Sequence, residues 1–296
     1  MFPLDWGLLV ALSLLWGSAF FLSQIALADL PPFTLVLCRV AIAAAALIAI
    51  TAAAGQAVHG LARTWPAILA LAVLNIALPF TLLLWSQARI GSGLTSILAA
   101  ATPLWSVLIS HFMTTDEPMT RARLAGVTVG FAGVAVATGH AGSHGNHDIA
   151  AGLAVLGAAL CYAVAGVVGR RLHGMQPLAL ASAQLTASTL LLLPIALLLE
   201  QPWTLAIPSR QTWAALLALS LLSTALGYVL FFRLLASTGV VNTSLVSFLV
   251  PITAVLLSSL VLGELPGWNA LAGGALILVG LALLQGWRRR SGSKTA

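Results

Sequence analysis

The chain has 296 residues, 60% of them hydrophobic and only 7% charged, with a formal net charge of +6. A water-soluble domain carries about 25% charged residues, so this chain cannot cover a water-facing surface and is read as an integral membrane protein. The basic residues flank apolar runs instead of forming a patch, which excludes a nucleic-acid partner.

Crossing the hydrocarbon takes about 20 apolar residues. Ten such runs follow one another, at 5–27, 33–54, 65–86, 92–113, 121–139, 149–170, 178–199, 211–234, 239–262 and 267–287. They lack the roughly ten-residue alternation of barrel strands. Backbone groups in lipid must pair within the segment, so each run is predicted to be a helix.

The first run has no basic flank and is too long for a cleavable signal. It places Ser13, Gly17, Phe20 and Gln24 on one helix face, with Trp16 beside it. Run two holds Arg39, the one basic residue several positions inside a run. It is read as a structural charge that snorkels or bonds to neighbouring helix ends, with a substrate carboxylate as the alternative. Cys38 and Cys161 lie in different halves and are read as free thiols. Run three carries Asn75, Pro79 and Phe80; run four carries Thr95, Ser96, Thr102 and Pro103. In run five Gly126 and Gly130 have small-xxx-small spacing, and run ten has Gly273, Gly274 and Gly280. Such faces allow close helix contact, so both runs are assigned to scaffolding. His140, His144 and His147 fall in a loop at 140–148, read as exposed and not as a metal site. Tyr162 comes from run six, Ser223, Gly227 and Tyr228 from run eight, and Thr243, Ser244, Ser247 and Pro251 from run nine.

The second half repeats the first. At a shift of 148 positions Trp65, Gly91, Thr95, Ser96 and Pro103 meet Trp213, Gly239, Thr243, Ser244 and Pro251; before that block the shift is 145. The repeats are placed at 5–139 and 149–287, joined by an outer loop at 140–148 and followed by a basic cytoplasmic tail at 288–296. Five helices per repeat make the halves enter the membrane in opposite directions. The predicted fold is therefore all-α, ten transmembrane helices as two inverted five-helix repeats around a central cavity. Ten basic residues (Arg63, Arg121, Arg123, Arg170, Arg171, Arg233, Arg288, Arg289, Arg290 and Lys294) then lie on the side of the termini, against Arg39, Arg89 and Arg210 opposite. The bias puts both termini in the cytoplasm.

Proline inside a helix removes a hydrogen bond and costs about 3 kcal/mol. Interrupted segments at matching places of two halves point to a midplane site, so Pro79, Pro103, Gly227 and Pro251 are expected to act as hinges. The carbonyls freed near Ala99 and Ser247 are expected to be available to an ammonium group. Trp16, Phe20, Asn75, Phe80, Ser96, Tyr162, Ser223, Tyr228, Ser244 and Ser247 are the expected substrate lining. The competing reading is that the hydroxyls bond to backbone and the aromatic rings pack. Glu264 is expected to be a structural charge.

Asp5, Asp29, Asp116, Glu117, Asp148, Glu200 and Glu264 all lie at or outside helix ends, so no midplane carboxylate is available to carry a proton. GxSxG, HExxH, aspartate-rich and P-loop motifs are absent from the sequence, so no enzyme activity, metal or cofactor is expected.

Several stretches resemble the drug/metabolite transporter superfamily: "LLWGSAFFLSQIAL" in run one, "CRVAIAA" after a proline in run two, Pro103, and "GELPGWNALAGGALILVGLALL" at the end. More narrowly they look like its ten-helix EamA-type members. That resemblance implies two inverted five-helix repeats about a central cavity and a role in exporting amino acids or other metabolites. It extends to Arg39, Pro103, Pro251 and Glu264. "TTDEP" in the first repeat departs from the family's glycine before the acid. The four-helix relatives carry a first-helix glutamate where this chain has Trp16, Gly17 and Ser18, so proton-coupled drug antiport is not implied.

The expectation is a bacterial inner-membrane transporter. It would export small metabolites, with neutral and aromatic amino acids preferred, by alternating access without obligatory proton coupling. Its partners would be a small-molecule substrate and the lipid bilayer, the protein being a monomer or a dimer. A multidrug or nucleotide-sugar-type transporter, a passive channel, and a membrane scaffold or sensor are the alternatives.

Overall fold

The computed structural model describes residues 2–55, 61–113, 119–138, 149–172 and 175–292. Asp116, Glu117, Asp148, Lys294 and the three histidines of the 140–148 loop lie outside them. Ten helices appear among the described residues: α1 (Pro3–Ala26), α2 (Pro32–Ala53), α3 (61–90), α4 (92–113), α5 (Arg121–Thr138), α6 (Ile149–Gly169), α7 (Pro177–Leu199), α8 (210–238), α9 (240–262) and α10 (Trp268–Gly292). Six helical stretches are long and apolar enough to cross a membrane by length and composition, and α9 and α10 supply shorter apolar ones. Proline opens α1, α2 and α7, where the missing N–H would have had no partner in any case. Leucines such as Leu198 and Leu260 stay exposed on the outside of the bundle, as a lipid-facing surface requires.

The boundaries inside the long apolar runs are set by backbone, and they repeat. Gly91 has φ 75°, ψ 170°, and Gly239, 148 positions on, has φ 74°, ψ 173°. That region of backbone space is essentially open to glycine alone. At Gly91 the chain folds back. Ser86 Oγ donates to the carbonyl of Ala151 at 2.9 Å, while Leu98 lies against Gly152. On one straight helix residues 86 and 98 would stand about 18 Å apart. In both halves the hydroxyl four residues on donates to the glycine carbonyl, Thr95 to Gly91 at 2.6 Å and Thr243 to Gly239 at 2.8 Å.

A second repeated feature is a π-helical turn, at Ala72–Ala77 in α3 and Leu219–Leu226 in α8. The first ends two residues before Pro79 and the second immediately before Gly227, both expected hinges. The wider turn absorbs the hydrogen bond that Pro79 cannot donate. It also forms in α8, where no proline is present, so the geometry belongs to the repeat and not to proline alone.

The steps near Pro103 and Pro251 are not equivalent. In α4 the helix is interrupted at Ala100–Ala101, just ahead of Pro103. In α9 the interruption is at Ser244–Leu245, and Pro251 lies inside the regular helix Val246–Leu262. The two halves thus share a fold and differ in bend.

Glycine packs α5 against α10 backbone to backbone. A Cβ at Gly133 would lie 2.6 Å from the carbonyl oxygen of Gly273, and one at Gly280 would lie 2.6 Å from that of Gly126. Gly130 receives Leu104 of α4, and Gly274 receives Ile97. The small-residue stripes are therefore occupied by neighbouring helices, as expected from their spacing.

At the end of the bundle away from the termini, three carboxylates tie one half to the other. Glu200, after α7, accepts from the backbone N–H of Phe33 (2.9 Å) and Thr34 (2.6 Å) and from the Thr34 hydroxyl, at the start of α2. Asp29, after α1, accepts from Ser209 N–H at 2.8 Å and the Thr212 hydroxyl at 2.6 Å, at the start of α8. Glu264, between α9 and α10, accepts from Ser92 N–H at 3.2 Å and its hydroxyl at 2.6 Å, at the start of α4. Negative charge is favoured at a helix N-terminus because unpaired N–H groups converge there. Among the described residues no comparable cross-half carboxylate is present at the opposite end, where Asp5 caps its own helix through Phe2 N–H at 2.8 Å.

Two expectations follow. Gly239→Ala isolates backbone strain, because the added methyl would meet nothing within 4 Å. It should cost about 1–3 kcal/mol, and Gly91→Ala a similar amount. Both should lower the midpoint of thermal unfolding in detergent. The Thr212 hydroxyl, followed by the Ser209 N–H, holds the Asp29 carboxyl below its ordinary value of 3.8. A depressed carboxyl adds stability above its unfolded value and loses it as pH falls through the folded one. The stability difference between wild type and Asp29→Asn should therefore be level from pH 8 to 5 and shrink only below the ordinary carboxylate range.

Candidate functional site

The site is built from the second helix of each half and the π-turn of the other. Arg39 stands seven residues into α2 and Gln184 seven residues into α7, about 10 Å from starts at opposite ends of the bundle. They are equivalent under the 145-residue shift. Arg39 Nε donates to Thr224 Oγ1 at 2.9 Å, in the π-turn of α8. Gln184 Oε1 accepts from Asn75 Nδ2 at 3.1 Å, in the π-turn of α3. Each half thus reaches across to the widened turn of its counterpart.

The π geometry is what presents these groups. Thr224 Oγ1 donates to the carbonyl of Leu219, five residues back, at 2.9 Å, which orients its oxygen toward Arg39. In the other half the carbonyl of Ala72, at the head of its π-turn, accepts from Ser188 Oγ of α7 at 2.9 Å. The wider turn thus leaves one carbonyl to a side chain of its own turn and the other to a neighbouring helix.

Aromatic rings surround the pair. The Arg39 guanidinium carbon lies 4.2 Å from the centroid of the Phe80 ring, a cation–π contact. Tyr162 of α6 and Tyr228 of α8 are within electrostatic range of Arg39, and the Tyr228 hydroxyl lies beside the Asn75 amide. Tyr228 stacks on Phe232 with centroids 6.0 Å apart. Arg39, Asn75, Phe80, Tyr162 and Tyr228 are all half-buried. Trp16 borders this group. Its indole nitrogen would be 2.7 Å from a Cβ at Gly227, so that glycine makes room for the ring, which packs on Phe231 at 5.4 Å. Gln87 of α4's hairpin partner α3 donates to the Phe20 carbonyl at 2.6 Å and to Gln24 Oε1 at 3.1 Å.

The structure does not bring every expected lining residue here. Ser96 is buried, and its hydroxyl donates to the carbonyl of Gly93 at 2.7 Å. Ser244 is at the interruption within α9 and Ser247 in the first turn after it, where Ser247 N–H bonds to Ser244 O at 3.1 Å. Ser223 is on the π-turn, but its hydroxyl is sealed and has no partner among the described residues. The carbonyl of Ala99, expected to be open because Pro103 cannot pair with it, accepts from Thr102 Oγ1 at 2.8 Å. Arg39 does not snorkel to a helix end; its bond goes to a side chain in the other half. Thr224 and Gln184 were not among the expected site residues. Gln184 is recoverable from sequence as the position equivalent to Arg39, whereas Thr224 depends on a turn that leaves no composition signal. Among the described residues no group of three or more His, Cys, Asp or Glu side chains could hold a metal.

The sequence matches the EamA-like transporter family over residues 6–139 and again over 149–285. It is 31% identical over 288 residues to "Uncharacterized transporter YvbV" of Bacillus subtilis (strain 168), covering 94% of this chain and 90% of that protein. A protein of Streptantibioticus cattleyicolor named "Probable terminal-alkyne amino-acid exporter" is 31% identical over 280 residues, with 94% and 92% covered. One solved crystal structure superposes with a TM-score of 0.67 at 22% identity, covering 93% of this chain and 95% of its own, which speaks to the fold alone.

Proposed function

Because the chain belongs to the EamA-like transporter family, and is a multi-pass membrane transporter of small metabolites and not an enzyme, we propose that it exports neutral amino acids, aromatic ones included. It does so by alternating access of the cavity between residues 5–139 and 149–287, in a bacterial inner membrane with both termini cytoplasmic. The observation that carries the substrate reading is the lining itself: aromatic rings and amides about one cation, with every described carboxylate held at a helix end. A cationic cargo would face that interior without a counter-ion, and a dianion would leave one of its charges unpaired. The name of the Streptantibioticus relative points the same way.

Support for the mechanism comes from the unequal bends of α4 and α9. Inverted repeats that hold two different conformations can exchange them, and the cavity then opens to the other side. The pivots are Pro79, Pro103, Gly227 and Pro251, with irregular backbone beside the first three and the step at Ser244–Leu245 one to two turns ahead of Pro251. With no carboxylate in the cavity to load and release a proton, flux follows the substrate gradient or exchanges substrate for substrate. The carboxylate-tied end faces outward, consistent with the basic bias of the opposite end.

Purified protein in liposomes tests this. Uptake of labelled phenylalanine should saturate, should be accelerated by unlabelled phenylalanine on the far side, and should not require a pH gradient. Pro103→Ala/Pro251→Ala should insert normally and lose most of this counterflow. Linear uptake without acceleration would identify a channel, and unchanged flux in the double variant would remove the prolines from the mechanism.

A further inference from the structure

Arg39 has one property that its structural contacts do not account for. Its Nε is bonded to Thr224 and its guanidinium carbon lies over the Phe80 ring. The two terminal amino groups have no protein partner among the described residues, and neither is a sealed atom. Asp5, Asp29, Glu200 and Glu264 are committed to helix N-termini elsewhere. A guanidinium kept about 10 Å inside a membrane helix without an anion is costly, and such charges normally pair or mark a substrate path. Here one edge is fixed and the other is left open. The fixed edge removes the rotamer freedom that binding would otherwise have to freeze, and the open edge is a planar fork matched to two oxygens of one carboxylate.

We infer that Arg39 binds the carboxylate of the transported molecule in a bidentate pair, with Phe80 as the wall behind the guanidinium and Tyr162 and Tyr228 beside the bound group. Thr224 is a positioning residue that acts through Arg39. The recognised class is a monocarboxylate with an uncharged body. Gln184, at the equivalent position of the other half, has its carbonyl engaged by Asn75 and carries no charge, so the cavity holds one such anchor and one carboxylate at a time. This rests on the amino-acid reading above for the identity of the cargo, but the anchor itself requires only the carboxylate.

Thermal unfolding of the detergent-purified full chain with four probes separates the two. L-Phenylalanine and 3-phenylpropionate should raise the midpoint, while L-phenylalaninamide and phenethylamine, which lack the carboxylate, should not. Arg39→Gln should weaken L-phenylalanine binding by about tenfold or more. Arg39→Lys, which keeps the charge and loses the fork, should fall between the two. If 3-phenylpropionate stabilises and L-phenylalanine does not, the anchor stands and the amino-acid reading falls. If the amide stabilises wild type as well as the acid does, the anchor is wrong and the amino-acid reading survives. The acid-to-amide contrast is measured on wild type, so it holds even if Arg39→Gln fails to fold. A purely structural arginine would leave that contrast at zero.

Discussion

Among the polar contacts that join the two halves of this protein, two are repeats of one design, Arg39 with Thr224 and Gln184 with Asn75. A side chain from the second helix of one half meets a hydroxyl or amide displayed by a π-turn in the third helix of the other. In a lipid-solvated chain the apolar faces give little preference between packing partners, because hydrocarbon solvates leucine as well as leucine does. Specific polar pairs and close glycine contacts must therefore fix the arrangement. Arg39 with Thr224 and Gln184 with Asn75 supply the first, and the α5–α10 glycine faces supply the second. The cavity is what remains between helices that are joined at those points.

Placing the polar pairs in π-turns has a mechanical consequence. A π-turn leaves carbonyls and side chains pointing away from the helix axis, and such turns are frequent at functional sites. The same segments that contact the cavity are therefore the least regular parts of α3 and α8. Gly91 and Gly239 make sharp reversals, while the steps in α4 and α9 differ between halves. Glycine-packed scaffolding (α5 and α10) and irregular segments (α3, α4, α8 and α9) are thus separated within each repeat, which is the division that movement about a fixed site needs.

Much of this organisation is legible in the sequence, and the illegible part has a physical cause. The ten apolar runs, the glycine stripes and the matched Gly91/Gly239 and Pro103/Pro251 pairs are all read from hydropathy and repetition, since lipid leaves the chain few alternatives to helices. The hydroxyls mislead. Ser96 and Thr102 bond to nearby backbone, which small polar side chains in membrane helices do readily, so their position on a face says little about what they line. Thr224 stayed hidden because the π-turn of α8 has no proline to announce it. Arg39 stands out as an odd charge, and the 145-residue shift makes Gln184 its equivalent, but a neutral amide carries no charge signal that would single it out.

The contact across the halves can be measured by a double-mutant cycle on Asn75→Ala and Gln184→Ala, read as unfolding stability in detergent. If the pair joins the repeats, the two losses will be non-additive, with a coupling of about 0.5–3 kcal/mol. Strictly additive losses would mean that the π-turn of α3 and the second helix of the other half do not hold one another, and that the cavity is framed by something else.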